Sequence, residues 1–191
     1  MNLILQIFAG LSYLINKIFF SFAENKSPKL KKNLKIKGWI IYILGVPAWV
    51  IILTSNQNWI AASIEAGGIP AMLLGLYNTC HDNKKENKLF NIFVTVNTYV
   101  FVAIGLTYSI IDNNGISSYS QVLEIGVMIG FLFGSYFMAK NHSSGWLFFM
   151  LMNLSMAILM LLENKSILMI QQLLSLCFVV YGFYSMHRVK R

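Results

Sequence analysis

The sequence predicts an all-α integral membrane protein: seven transmembrane helices arranged as two parallel triple-helix repeats around one linker helix, a 3+1+3 plan. Three observations lead there. First, of 191 residues 57% are hydrophobic and only 12% are charged, whereas soluble chains carry roughly a quarter charged residues. So apolar a chain has too little polar surface to cover itself in water, and lipid must supply its surroundings. Second, the apolar residues fall into seven runs, each near the ~20 residues that cross a bilayer as a helix. Third, the stretch from Gly38 to His81 lies without a gap over Gly145 to Arg188. Gly38-Trp39 then meets Gly145-Trp146, Gly75 meets Gly182, and Tyr77 meets Tyr184. Internal repetition in an apolar chain points to proteins that place a site between two related halves.

The runs span Leu3 to Phe22, Gly38 to Ser55, Asn58 to Asn78, Leu89 to Ile111, Tyr119 to Ala139, Gly145 to Leu162 and Ser166 to Met186. The first could instead be a signal peptide, since Ser21-Phe22-Ala23 resembles a cleavage site. No Lys or Arg precedes the run, however, and Gln6, Asn16 and Lys17 interrupt it, so a retained helix is expected. Lys17 sits near enough to the helix end to snorkel its ammonium to the interface. Ile4-Leu5-Gln6-Ile7 echoes Val122-Leu123-Glu124-Ile125 at the start of the fifth run. Polar clusters at Asn83-Lys84-Lys85-Glu86 and Asp112-Asn113-Asn114-Gly115 bracket the fourth as loops. The one long polar stretch, Glu24 to Lys37, is expected to be a loop.

Seven spans put Lys26 to Lys37, Lys84, Lys85, Lys88, Lys140 and Arg188 onward on one side and only Lys165 on the other. Positive charge favours the cytoplasm, so the N-terminus is expected outside and the C-terminus inside, in a bacterial inner membrane. Three helices repeated directly would enter the membrane upside down, and one intervening helix restores the orientation. The expected division is therefore 1–80 for the first bundle, 81–117 for a cytoplasmic loop and linker helix, and 118–191 for the second bundle.

Polar groups within hydrocarbon are expensive and are the candidates for function. They are Asn153 in the sixth span, Asn97 in the fourth, Gln172 in the seventh and Glu65 in the third, with Glu124 nearer an interface. The repeat pairs Gln172 with Glu65 and Asn153 with Val46. Helical spacing puts Phe149, Asn153 and Met156 on one stripe, and the matching stripe is Tyr42, Val46 and Trp49. An aromatic cage around an amide would stack a flat ring and hydrogen-bond its substituents. The same amides could equally bond neighbouring helices. Trp39 and Trp146 begin their helices and are expected in an aromatic belt. Pro47 and the run Gly67-Gly68-Ile69-Pro70 are candidate hinges.

Enzyme chemistry has little support. His81, His142 and His187 fall in loops or at helix ends without paired carboxylates. Cys80 and Cys177 lack metal-binding spacing, and no phosphate loop, nucleophile elbow or nucleic-acid motif appears. The expectation is no enzyme, no cofactor, no metal and no nucleic-acid partner. The net charge of +8 fits loops that orient the chain and meet membrane lipid.

The run from Trp146 to Asn153, followed by Ser155, Gln171-Gln172 and Gly182, is similar to the C-terminal part of PnuC-type vitamin transporters, over about Val122 to His187. That resemblance implies facilitated diffusion of an uncharged or weakly charged vitamin, drawn inward by phosphorylation in the cytoplasm. Nicotinamide riboside is the leading cargo, thiamine and riboflavin are others, and homotrimers are the implied assembly. It also implies that Trp146, Asn153 and Gln172 belong to the ligand path. Val46 stands where the family often has Asn, and Met186 where it often has an aromatic; both departures bear on cargo. Sugar-carrying SWEET proteins share the architecture but carry more helix prolines than Pro47 and Pro70. A third alternative is a small membrane scaffold or accessory subunit, whose buried amides would only join helices.

Overall fold

The computed structural model describes residues 3–55, 59–81, 87–112, 114–162 and 164–189. The loop run Asn83-Lys84-Lys85-Glu86 and the final Lys190 and Arg191 lie outside them, as does Asn58. The described residues form eight helices and no strand: α1 Leu3–Ala23, α2 Pro28–Ser55, α3 Trp59–Gly67, α4 Ile69–Cys80, α5 Lys88–Asp112, α6 Tyr119–Ala139, α7 Ser144–Leu162 and α8 Ser166–Val189. Six of them (α1, α2, α5, α6, α7 and α8) are long and apolar enough to cross a membrane. The pair α3–α4 takes the place of the third predicted span. The chain is thus an all-helical, multi-pass membrane protein by length, composition and its apolar outer surface. On α5, for example, Leu89, Ile92, Phe93 and Val96 are all exposed.

Local chemistry explains most helix ends. Pro70 has no N–H and its ring crowds the preceding turn, so one predicted span becomes α3 and α4. At the break the Gly68 amide reaches back to the carbonyls of Ile64 and Glu65, 3.2 Å each. The Asn97 side chain on α5 donates to the Gly67 carbonyl at 2.8 Å. Pro47 leaves α2 unbroken. Ser118 caps α6 by accepting from the Gln121 amide. Asn114, Asn141 and Asn164, with φ of 51°, 53° and 56°, end α5, α6 and α7 in the left-handed conformation that Asn tolerates better than most residues. In each case the next amide bonds five residues back: Gly115 to Ile110, His142 to Phe137, Lys165 to Met160. These are Schellman closures.

One stretch departs from expectation. Glu24 to Lys37 is a turn only as far as Ser27; from Pro28 onward it is the first part of α2. Proline suits a first helical position, and lysine is a good helix former. Glu24 explains why the stretch docks. Its carboxylate is 2% exposed, pairs with Lys31, and meets Lys35 at 3.0 Å. Burial pushes that carboxyl upward, but the two ammonium groups more than offset it and hold Glu24 below the ordinary carboxylate value.

The packing is ring-like. Helix α1 lies on α2 and α8, α2 on α3 and α4, α4 on α6, α6 on α7, and α7 on α8. Among the described residues, helix α5 packs on α3, α4 and α6 alone, outside that ring. No backbone contact joins α2 to α6 or α7 among the described residues, so large side chains fill the middle.

Trp39 and Trp146, expected in an outward-facing belt, are buried inside the bundle. They are 2% and 0% exposed, and each indole lies close against a glycine: Trp39 against Gly75 and Trp146 against Gly182. A second glycine pair behaves alike, Gly38 facing Phe20 on α1 and Gly145 facing Met138 on α6. In all four places a missing Cβ lets a large side chain approach the backbone.

Candidate functional site in the ring interior

The interior is built around Lys17. It stands on α1 among buried Ser12, Asn16, Phe20 and Ser21, and its side chain turns inward. Lys17 is 1% exposed and its ammonium has no hydrogen-bond partner, so it does not snorkel. The ammonium lies over the Phe149 ring at 3.2 Å from the centroid and over Tyr42 at 4.5 Å. Aromatic faces attract a cation, and more so away from water.

Tyr13, one helical turn earlier on the same face, gathers the rest. Its hydroxyl donates to Glu65 Oε1 at 2.6 Å. Its ring meets Tyr42 edge-on at 4.8 Å, tilts against Trp49 at 5.8 Å and stacks on Phe131 at 6.5 Å. Glu65 comes from α3, just before the Gly68 break. It is close enough to act electrostatically on Lys17, yet the two do not form an ion pair. Tyr42 also lies 3.3 Å from Ser135 on α6 and edge-on to Phe149 on α7.

Asn153 is 1% exposed, one turn beyond Phe149 on α7. Its amide nitrogen donates to the Phe149 carbonyl at 2.6 Å, while Oδ1 has no partner. Asn153 therefore bonds its own helix and not a neighbour. The Trp49 indole N–H is likewise buried without a partner. Such groups cost free energy when water is excluded. Among the described residues, the interior thus holds a cation, an acceptor and a donor without a hydrogen-bond partner, surrounded by aromatic rings.

The structure brings Tyr42, Trp49 and Glu65 together through Tyr13, and Asn153 joins them beside Phe149. Asn97, Gln172 and Trp146 are elsewhere. Asn97 bonds at the α3–α4 break, Trp146 covers Gly182, and Gln172 is buried on α8. Among the described residues no hydrogen bond or ring contact joins these three to the cluster. Beside Gln172, Gln171 ties α8 to the Gly10 carbonyl of α1 at 2.8 Å. Of the candidate hinges, Gly67, Gly68 and Pro70 sit at a real break, with Gly67 against Phe101 and Gly68 against Phe131.

Set beside family models, curated proteins and solved structures, the chain matches none. The site therefore stands on its own geometry.

Tyr13, Lys17, Phe131 and Ser135 were not among the sequence candidates. Tyr13, Phe131 and Ser135 look ordinary in an apolar run, and only tertiary packing makes them neighbours. Lys17 carried a signal, a charge inside a span, but nearness to the helix end gave it a simpler reading.

The lysine-rich end of the molecule is held by a separate polar network. Lys35 donates to Asn141 Oδ1 at 3.0 Å, Asn78 to the Ala139 carbonyl at 3.0 Å, and Asn25 to Tyr181 and Ser185 at 3.0 Å each. Each bond joins a residue before α5 to one after it.

Proposed function

We propose that the chain is a solute carrier of 3+1+3 plan, taking a small ring-bearing solute, vitamin- or nucleoside-like, into the ring interior between residues 1–80 and 118–191. The observation that carries this is the buried, unsatisfied cluster of Lys17, Asn153 Oδ1 and the Trp49 indole at the junction of the two halves. Such groups give a scaffold no bond between helices, whereas a carrier needs donors and acceptors left to meet a solute.

The packing supports related halves. Aligning Gly38 with Gly145 pairs Trp39 and Gly75 with Trp146 and Gly182, and both tryptophans lie on their glycines. Aligning Ile4 with Val122 pairs Tyr13 with Phe131, Lys17 with Ser135 and Phe20 with Met138. In these registers Lys17 on Phe149 answers to Ser135 on Tyr42, and Phe20 at Gly38 answers to Met138 at Gly145. Tyr13 and Phe131, counterparts of each other, stack across the middle. Parallel repeats of this kind place a site near the midplane and open it by rocking one bundle against the other. Pro47 and the Gly67–Pro70 break would absorb that motion, and α5 would be the linker.

Orientation follows from lysine: the N-terminus outside, the C-terminus in the cytoplasm, in a bacterial-type inner membrane. The PnuC-type resemblance makes nicotinamide riboside the first solute to test, with Trp49, Tyr42 and Asn153 contacting it, facilitated diffusion as the mode and a homotrimer as the assembly. Lys17 weighs against its pyridinium ring, because like charges in a dry interior repel. Neutral or anionic solutes suit the site better.

The test is saturable uptake into proteoliposomes of labelled nicotinamide riboside, thiamine, riboflavin and glucose, with Asn153→Ala reconstituted beside wild type. Uptake of one solute that the variant loses supports a carrier using this site. A variant that fails to fold, with no uptake by well-reconstituted wild type, returns the chain to the scaffold reading.

A further inference from the structure

The interior cluster also carries information about the chemistry of its ligand. Lys17 is the only cation in it, its ammonium faces two rings and no acceptor, and the nearby carboxylate, Glu65, is already bonded by Tyr13. An ammonium with spare donors wants an oxygen, and a charged acceptor gives the stronger bond. One cation balances one negative charge. A phosphate dianion would bring two, with Glu65 close by to repel them and, among the described residues, no second Lys or Arg in the cluster to help. The rings of Tyr42, Phe131 and Phe149, which meet edge-on at 6.2 and 6.3 Å, would part to take a ring among them, and Asn153 Oδ1 would accept from a donor on it.

We propose that the ligand of this site is a small ring-bearing monocarboxylate, with its carboxylate on the Lys17 ammonium and its ring between the aromatic faces. The proposal deepens the carrier reading and rests on it for the site, though not for transport. The Phe149 and Tyr42 faces hold the ammonium; on binding, it would leave them for a true acceptor. Glu65 and Tyr13 then set the limit on charge, since a second anionic group would fall near a carboxylate already in place.

The experiment compares acids with their own amides, which match in shape and differ in charge: benzoate against benzamide, and nicotinate against nicotinamide. Binding to the purified full-length protein in lipid nanodiscs is read by calorimetry. Wild type should bind at least one acid roughly tenfold or more tighter than its amide, the scale of a desolvated charge-assisted contact. Lys17→Met should bring that ratio to about one, and Lys17→Arg should keep it above one. Retention of the folded far-ultraviolet spectrum in both variants excludes simple misfolding.

Amides binding as tightly as acids, no acid binding at all, or an acid preference that survives Lys17→Met would each overturn the proposal. Flux in proteoliposomes separates the two levels. An acid that binds through Lys17 yet is never transported contradicts the carrier and leaves the ligand assignment standing. Transport of an amide or another neutral solute with no acid binding does the reverse.

Discussion

Replacing Lys17 by methionine should make the protein more stable. Lys17 is 1% exposed and its ammonium has no hydrogen-bond acceptor. Taking an ammonium out of water costs several kcal/mol even after the protein relaxes. Against this stand two ring contacts, at 3.2 Å and 4.5 Å from the centroids of Phe149 and Tyr42, worth about 2 kcal/mol each at best when desolvated. Glu65 adds attraction without pairing. The balance is unfavourable, and methionine fills nearly the same length with no charge to bury. Exchanging buried charge for well-packed apolar groups commonly gains about 1–4 kcal/mol. For a chain of this size each kcal/mol corresponds to roughly 2–4 °C in melting temperature. Thermal denaturation of both proteins in the same nanodiscs, without ligand, should place Lys17→Met higher by several degrees. A lower melting temperature would mean that Lys17 contributes to the fold, and the case for an unsatisfied binding group would fail.

Gly75→Ala and Gly182→Ala should each destabilise by about 1–3 kcal/mol, as overpacked cores do, because the new Cβ would enter the indole of Trp39 or Trp146. Similar losses in chemical denaturation are expected at the two sites, and a loss at only one would break the equivalence of the halves. Asn153→Ala removes a bond within its own helix and also an orphaned oxygen, so stability should change by less than about 1 kcal/mol while flux in proteoliposomes falls to background. Glu24 gives the acid response. Its carboxyl is held below the usual 4.5, so its stabilising share is complete above about pH 4.5 and is lost as pH falls through the lower folded value. Melting curves from pH 7 to pH 3 should show that loss in wild type, and a shallower one in Glu24→Gln.

Much of the fold was legible because a bilayer sets the length of each span and hydropathy marks it. The run Tyr119 to Ala139 matches α6 to the residue, and Ser166 correctly opens α8. The break at Gly68 was signalled by Gly67-Gly68-Ile69-Pro70, since proline's missing donor is a local fact. Charge misled at Glu24 to Lys37. A lysine-rich stretch reads as solvated loop until a buried carboxylate from another segment neutralises it, and that carboxylate's burial is a tertiary fact. The tryptophans misled for a related reason. Position along the helix suggested a belt, whereas Gly75 and Gly182, far along the chain, leave the room in which the indoles are buried.

The site was half legible. Tyr42, Trp49 and Asn153 followed from helical spacing, because a stripe on one helix is a local property. Lys17 did not, because burial depends on which way a long side chain turns. Phe149 and Tyr42 decide that, and they stand more than a hundred residues apart in the chain. Asn97 and Gln172 looked like Asn153 in sequence, yet Asn97 closes a helix break and Gln172 lies beside a glutamine that joins α8 to α1. Only partners distinguish an amide that joins helices or closes a break from one whose oxygen is left without a bond.

The central claim is that the two halves move against each other around this interior. Spin labels on Asn33→Cys, exposed on α2, and His142→Cys, exposed between α6 and α7, report on it across the lysine-rich end. The exposed Cys80 and Cys177 would first be replaced by serine. Pulsed electron–electron distances in nanodiscs should show two populations, one closed by the Lys35–Asn141 bond and one longer, with proportions that shift when the solute identified by flux is added. One narrow distance, unchanged by that solute, would contradict a carrier.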